Sequence, residues 1–274
     1  MTIGRARFAF TVLAFGYAFL YLPIALVIIY SFNESRLVTV WAGFSTKWWV
    51  ALFHNESMLD AAWLSLRIGL ASATLSMLLG LAAGYALARV PRFVGRTLFA
   101  SLVVAPMVMP EVVMGISMLL LFVGSDQLLG GPARGFVTIT IGHVTFSLAF
   151  VAIVVQARLA DFDRTLEEAA MDLGATPWTT FLTVTLPLLT PALASGWLLA
   201  FSLSLDDLIL TQFVAGAQSQ TLPMRVYSSV RLGVDPQINV LATLVVALAA
   251  SALIASAVLT RRSRVHSRTT WNKR

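Results

Sequence analysis

The chain has no cysteine, only three histidines, and charge on only 12% of its residues. Without thiols it can form neither a disulfide framework nor a thiolate metal site, and the histidines lack the i, i+4 spacing that would aim two imidazoles at one metal. Acids are the scarcer sign, 13 against 19 basic residues for a net charge of +6. The sequence contains no G-x-x-x-x-G-K-[ST] phosphate loop, so the chain is not expected to hydrolyse ATP itself. No polar block is long enough to bury a separate water-soluble core.

Hydrocarbon takes the place of charge. At 58% hydrophobic residues and a mean hydropathy of +0.83 over 274 residues, the composition lies outside the range of soluble domains and reads as one multi-span membrane domain covering 1–274. Spanning about 30 Å of hydrocarbon takes about 20 helical residues. Six stretches meet that length, 10–32, 61–88, 97–124, 136–156, 191–215 and 238–260, so an all-α membrane protein of six transmembrane helices is expected. The first run, behind Arg5 and Arg7, is too long for the apolar region of a cleaved signal and reads as a span.

An even number of spans puts both ends on one side, and the basic residues choose which. With both ends inside, the inner segments collect 13 of the 19 Lys and Arg and the outer segments 6, which predicts N-in and C-in. The net positive charge therefore reports orientation, and no nucleic acid partner is expected. Between spans one and two, Trp41, Trp48 and Trp49 are placed as an interfacial belt at lipid headgroup depth.

The same orientation puts residues 157–190 in the cytoplasm. Thr165-Leu166-Glu167-Glu168 fits a capping box, which predicts a helix from Leu166. Gly174 supplies the left-handed residue that ends it. Thr176-Pro177 starts a second helix, and Leu186-Pro187 is expected to close that helix before span five. Two short helices at an angle, in water, are a surface for a partner.

Acids inside spans are the second informative feature. Glu111 in span three, and Asp206 and Asp207 in span five, fall past the membrane midplane at 1.5 Å rise per residue. A central acid costs about 2.5 to 3.5 kcal/mol to insert, so such groups face a cavity, a pathway or a partner charge. Adjacent aspartates point about 100° apart on a helix, so at most one faces a pathway. The structural alternative pairs one acid with Arg67 at the outer end of span two. Pro106 and Pro110 precede Glu111 and free carbonyls in its span. Trp197 offers either a ring face for an ammonium group or ordinary packing. Carboxylates without basic neighbours predict a cationic cargo. No histidine is near these acids in the sequence, and no nucleophile, base and orienting group stand in a recognisable order, so an enzyme is not expected.

The spacing Glu168-Ala169-Ala170, three residues, Gly174, nine residues, Val184-Thr185-Leu186-Pro187 resembles the coupling-loop signature of permease subunits in ATP-binding-cassette importers. Ser204-Leu205-Asp206-Asp207-Leu208, Ser31-Phe32-Asn33, Leu37 to Gly43 and Thr221-Leu222-Pro223-Met224 look like the polyamine permeases, most closely the second permease of putrescine importers. The resemblance implies a type I importer permease fold in the bacterial inner membrane. It implies a second permease, two ATPase subunits that hold the ATP and magnesium, and a soluble polyamine-binding protein outside. It also implies that Glu168, Ala169, Ala170, Asp172, Gly174 and Pro187 serve ATPase coupling, and that Glu111, Asp206, Asp207 and Trp197 line the substrate pathway. No cofactor is expected in this chain. The alternatives are the same machinery for ferric iron or thiamine, or a stand-alone secondary carrier.

Overall fold

The structure, a computed structural model, describes residues 3–37, 40–90, 92–233, 235–248 and 250–251. Among these residues the chain is helical throughout, with an isolated Asn33–Phe44 bridge in place of any strand. Among the described residues five helices are long and apolar enough to cross a membrane. The chain divides into two compact units, residues 1–59 with 228–274, and residues 60–227.

The first unit holds α1 (Ile3–Tyr30), α2 (Lys47–Phe53) and the apolar helix Gln237–Leu248. That last helix is the described part of predicted span six; residues 252–260 and the basic tail lie outside the described residues. Asn33 organises the loop after α1. Its amide donates to Val40 O at 2.8 Å and its Oδ1 accepts from the amides of Ser35 and Ala42. Phe32 stacks on Phe44 and Trp49, and Trp41 meets Tyr30 edge-on.

In the second unit α6 (Phe136–Ala160) is the central post, with buried residues along its whole length. Helix α3 (Glu56–Arg89) enters the unit at Asp60 and runs parallel to α6: Ser76 donates to Val144 O, Gly80 lies against Val151, Gly84 against Ala152 and Val155, and Arg89 reaches Leu159 O. A Cβ on Gly80 or Gly84 would come within 2.6 Å of α6 atoms, so this close seam depends on the two glycines.

Predicted span three is two helices. Met109 is extended (φ −73°, ψ 139°) between α4 (Arg96–Val108) and α5 (Glu111–Leu129). Pro110 causes the break, because its ring disfavours a helical residue before it and it has no N–H to continue the ladder. The two pieces still make one crossing antiparallel to α6. Val103 of α4 packs with Ala152, and Met114 and Phe122 of α5 pack with Ile139.

Span five differs from expectation at both ends. Helix α8 (Pro177–Thr180) is capped as expected, with Thr179 N donating to Thr176 Oγ1 at 3.2 Å. It then continues through a π-helical turn, Phe181–Thr185, into α9 (Leu186–Asp206), so Pro187 does not close a helix. A widened turn accommodates the proline ring beside the preceding carbonyls. At the other end α9 stops at Asp206, Asp207 is extended (φ −67°, ψ 120°), and α10 (Ile209–Val214) begins anew. Helix α9 runs antiparallel to α6, with Leu189 beside Leu159, Gly196 beside Val151 and Ser204 beside His143. A further helix, α11 (Leu222–Leu232), leads out of the unit. Crossings two and four are thus parallel, with three and five opposed, as alternating spans require.

Candidate functional site

The break between α9 and α10 sits on a polar network inside the bundle. The Asp207 carboxylate accepts from the amides of Leu210 and Thr211 at 3.4 and 2.8 Å and from the Thr211 hydroxyl at 2.5 Å. It therefore caps α10, and an acid that satisfies the next helix's first amides competes with continuation of the previous helix. His143 approaches from α6, with Nε2 3.1 Å from Asp207 Oδ2 and 2.8 Å from Thr211 Oγ1, and Nδ1 2.6 Å from Ser204 Oγ. Ser72 of α3 donates to Ser204 at 3.0 Å.

The carboxylate end of this network fixes one donor. The Thr211 hydroxyl is spent on Asp207, so Nε2 must be the donor toward that carboxylate. Nδ1 meets the Ser204 hydroxyl, whose oxygen accepts from Ser72. The imidazole thus bridges the Asp207 carboxylate on one side and the Ser204 hydroxyl on the other.

His143 is the partner that sequence separation concealed. The acid does not pair with Arg67, which lies over the Phe136 ring at 5.1 Å. Nor is the histidine remote, as the sequence implied; it stands 64 positions away in the chain and in contact in space. Ser204, His143 and Asp207 do line up as a hydroxyl, an imidazole and a carboxylate. However, Ser204 is buried in the body of α9, and the cavity beside it has a volume of about 10 Å³, room for about one water. No acyl or glycosyl substrate fits there.

That cavity brings Glu111 and Asp207 together, with His143, Ser147 and Ser204 in its wall. Glu111 is the first residue of α5, placed there by the Pro110 break. Ser147 is 1% exposed and its hydroxyl has no partner among the described residues. Asp206 points elsewhere: it is exposed and does not line the cavity. Trp197 is not at the cavity. Its ring stacks on Phe201 (centroids 5.3 Å, interplanar angle 6°) and its Nε1 donates to Thr74 Oγ1 at 3.1 Å, so packing explains it.

The second candidate surface is the inner loop. Helix α7 (Thr165–Asp172) begins one residue earlier than expected, because Asp163 supplies the opening bond: its Oδ1 accepts from Thr165 N at 3.0 Å. The capping box is not formed, since Glu168 N is already bonded to Arg164 O at 3.0 Å. The Thr165 amide and side chain hold the Asp163 carboxyl below its ordinary range. Gly174 at φ +90° ends the helix, with Ala175 N returning to Ala170 O, the 6→1 bond of a Schellman turn.

This loop turns an apolar edge outward. Glu168, Ala169 and Asp172 are exposed, as are Leu173 at 90% and Trp178 at 69%. Glu167, which sequence reasoning passed over in favour of Glu168, faces the other way. Its Oε2 lies 3.2 Å from Arg89 Nε at the end of α3, and its Oε1 accepts from Thr185 Oγ1 at 2.7 Å. A clue was present in the doubled Glu167-Glu168, since neighbours about 100° apart on a helix cannot share one face.

Comparison with known proteins places the chain in a family. The family described as "Binding-protein-dependent transport system inner membrane component" matches residues 76–266. The putrescine transport system permease protein PotI of Escherichia coli (strain K12) is 51% identical over 246 residues, 89% of this chain and 88% of the relative. The spermidine/putrescine transport system permease protein PotC of the same strain is 42% identical over 245 residues, 89% of this chain and 90% of the relative. Among solved structures, a bacterial ABC transporter involved in the import of the acidic polysaccharide alginate aligns with TM-score 0.70 at 18% identity, covering 95% of this chain and 98% of that one. An amino acid ABC transporter aligns with TM-score 0.54 at 20% identity, over 78% and 98%. At such identities the structures establish a shared fold alone.

Proposed function

Because the chain belongs to the family of binding-protein-dependent transport system inner membrane components, we propose that it is one permease half of an ATP-driven importer of polyamines, putrescine and spermidine, in a bacterial inner membrane. The observation that carries the cargo is that Glu111 and Asp207 line one cavity. Among the described residues lining that cavity, His143 is the only basic one, and its Nε2 is engaged by Asp207 and Thr211. A carboxylate offsets the lost hydration of an ammonium group through charge-assisted hydrogen bonds, whereas an anion would meet repulsion. Relatives named for putrescine and spermidine at 51% and 42% identity support the same cargo.

The division of labour follows. A soluble polyamine-binding protein delivers cargo at the outer face, and this chain with a second permease supplies the path. Two ATPase subunits, holding ATP and magnesium, dock on the inner loop. Glu168, Ala169, Asp172, Leu173 and Trp178 form the exposed face offered to them, with Ala170 half-buried behind it. The chain itself is non-catalytic and needs no cofactor. With room for about one water, the cavity does not admit a diamine as it stands, so passage requires α5, α9 or α10 to move.

The test is uptake of labelled putrescine into liposomes holding this chain with its partner permease and ATPase, with binding protein and ATP each present or omitted and spermidine as competitor. Uptake that needs both is the expected result. A complex that hydrolyses ATP but moves no polyamine would transfer the cargo to another cation such as ferric iron or thiamine, and uptake by this chain alone would make it a secondary carrier.

A further inference from the structure

Glu167 and Arg89 form a buried ion pair where four segments meet. Their side chains are 13% and 9% exposed. Arg89 is the last residue of α3, where a cation is favoured by the helix dipole. Its guanidinium lies over the Phe162 ring at 5.5 Å and donates to Leu159 O of α6 at 3.4 Å. The carboxylate belongs to α7, and its second oxygen is held by Thr185, a buried residue of the π-turn that opens into α9. One acid therefore ties the inner-loop helix to spans two and five, and through Arg89 to span four. Arg164, beside the start of α7, adds a bond to Ala88 O at 3.4 Å.

Two details distinguish this from a static brace. The pair touches at one point: Arg89 Nε is 3.2 Å from the carboxylate without hydrogen-bond geometry, and Nη2 is buried with no acceptor among the described residues. An arginine and a carboxylate can engage through two parallel bonds, so the contact holds donor capacity that a rotation of α7 could bring into use. The π-turn beside it is a wider, less regular turn, a form found at functional sites more often than in ordinary helix. By contrast, the outward face of α7 is separate from the pair, since Glu168 and Leu173 are exposed.

We propose that Arg89 and Glu167 form the joint through which movement of α7 is delivered to spans two, four and five, with Thr185 fixing the carboxylate. Both are positioning residues: they touch neither cargo nor nucleotide and act through the helices they join. The inference rests on the importer reading, which supplies the force on α7. It adds that force enters through Glu167, while the neighbouring Glu168 serves the docking face.

The experiment uses the complete complex in proteoliposomes and reads putrescine uptake and ATP hydrolysis together, so that their ratio reports coupling. Glu167→Gln is expected to keep the ATPase bound on purification and to lower uptake per ATP hydrolysed by about tenfold, within the range of a coupling free energy between sites. Thr185→Val should shift the ratio in the same direction by a smaller factor, without removing a charge. The double exchange Arg89→Glu with Glu167→Arg should restore part of the ratio that each single exchange loses, which a requirement for either charge alone would not produce. If Glu167→Gln and Thr185→Val both transport with the wild-type ratio, the joint is refuted while the importer stands. The joint is equally refuted if hydrolysis and uptake fall in proportion in both variants. If the wild-type complex moves no putrescine, the importer reading fails, and the joint fails with it.

Discussion

His143 Nε2 lies 3.1 Å from Asp207 Oδ2, and this contact across the bundle turns a helix break into a fixed feature. Asp207 could cap α10 through the amides of Leu210 and Thr211 without help. The imidazole adds a bond from α6 and, through Ser204 and Ser72, continues the network to α3. Crossings two and four thus hold the point at which the fifth is interrupted.

His143→Ala should accordingly lower stability as well as uptake. It leaves Asp207 and Ser204 short of a buried partner, worth about 1 to 3 kcal/mol for an unsatisfied group. His143→Gln, which can donate to the acid, should recover part of that loss. Thermal unfolding of the purified complex with parallel uptake measurements checks this; an unchanged midpoint for His143→Ala would remove the network's stabilising role.

The α3–α6 seam makes a steric prediction. A Cβ at Gly84 would stand 2.6 Å from Ala152 O, a backbone atom that cannot swing aside. Gly84→Leu should cost about 1 to 3 kcal/mol or more as overpacking, visible as a lowered unfolding midpoint. Gly95, with nothing within 4 Å of the same virtual atom, has φ +83°, so there strain alone would act, about 1 kcal/mol for alanine. A Gly84→Leu protein as stable as wild type would mean that the two helices are not packed this closely.

How much of this was legible in the sequence depends on the range of the interaction. Hydropathy located the crossings because burying apolar side chains in lipid is a property of each segment alone. Gly174 and Thr176-Pro177 were readable for the same reason, since a left-handed terminator and a proline at the first helical position act on their own few residues. What escaped was competition between local options. Thr165 to Glu168 has the pattern of a capping box, yet Asp163 accepts from the Thr165 amide and draws Thr165 into the helix, and the Glu168 amide goes to Arg164 O. Residues 191–215 look like one helix, yet Asp207 stops it by bonding forward to Thr211; an acid four residues before a threonine within an apolar run was the available sign. The pairs His143–Asp207 and Arg89–Glu167 join residues 64 and 78 positions apart, and nothing in either segment names its partner.

The inner loop's docking face is tested by charge. Leu173 is 90% exposed between Asp172 and the Gly174 turn, so in the chain alone it packs against nothing that a substitution would disturb. Leu173→Glu should leave the thermal stability of the isolated chain within about 0.5 kcal/mol, as for other surface changes, while reducing ATPase copurification and ATP-driven uptake. Retention of ATPase at the wild-type level would move docking away from this residue. Gly174→Pro should act differently: proline cannot adopt φ +90° and has no amide to bond Met171 O. Membrane insertion should persist while ATP-linked uptake is lost, and wild-type uptake would remove the turn from the coupling path.

The two adjacent aspartates should separate cleanly, because the structure gives them different work. Asp207 accepts two amides, a hydroxyl and an imidazole. Asparagine there would turn an NH₂ toward at least one donor, costing about 1 to 3 kcal/mol as a mispaired buried group, so Asp207→Asn should lower the unfolding midpoint and the yield of assembled complex. Asp206 is exposed and bonds to no other helix in the described network, so Asp206→Asn should assemble and unfold like wild type. If Asp206 meets the ammonium group, the effect falls on transport: the charge-assisted bond is replaced by a neutral one, roughly halving its strength. Uptake should then need more putrescine for half-saturation when delivery by the binding protein is held constant. A midpoint that drops for Asp206→Asn and holds for Asp207→Asn would reverse the assignment, and equal transport by Asp206→Asn and wild type would take Asp206 off the pathway.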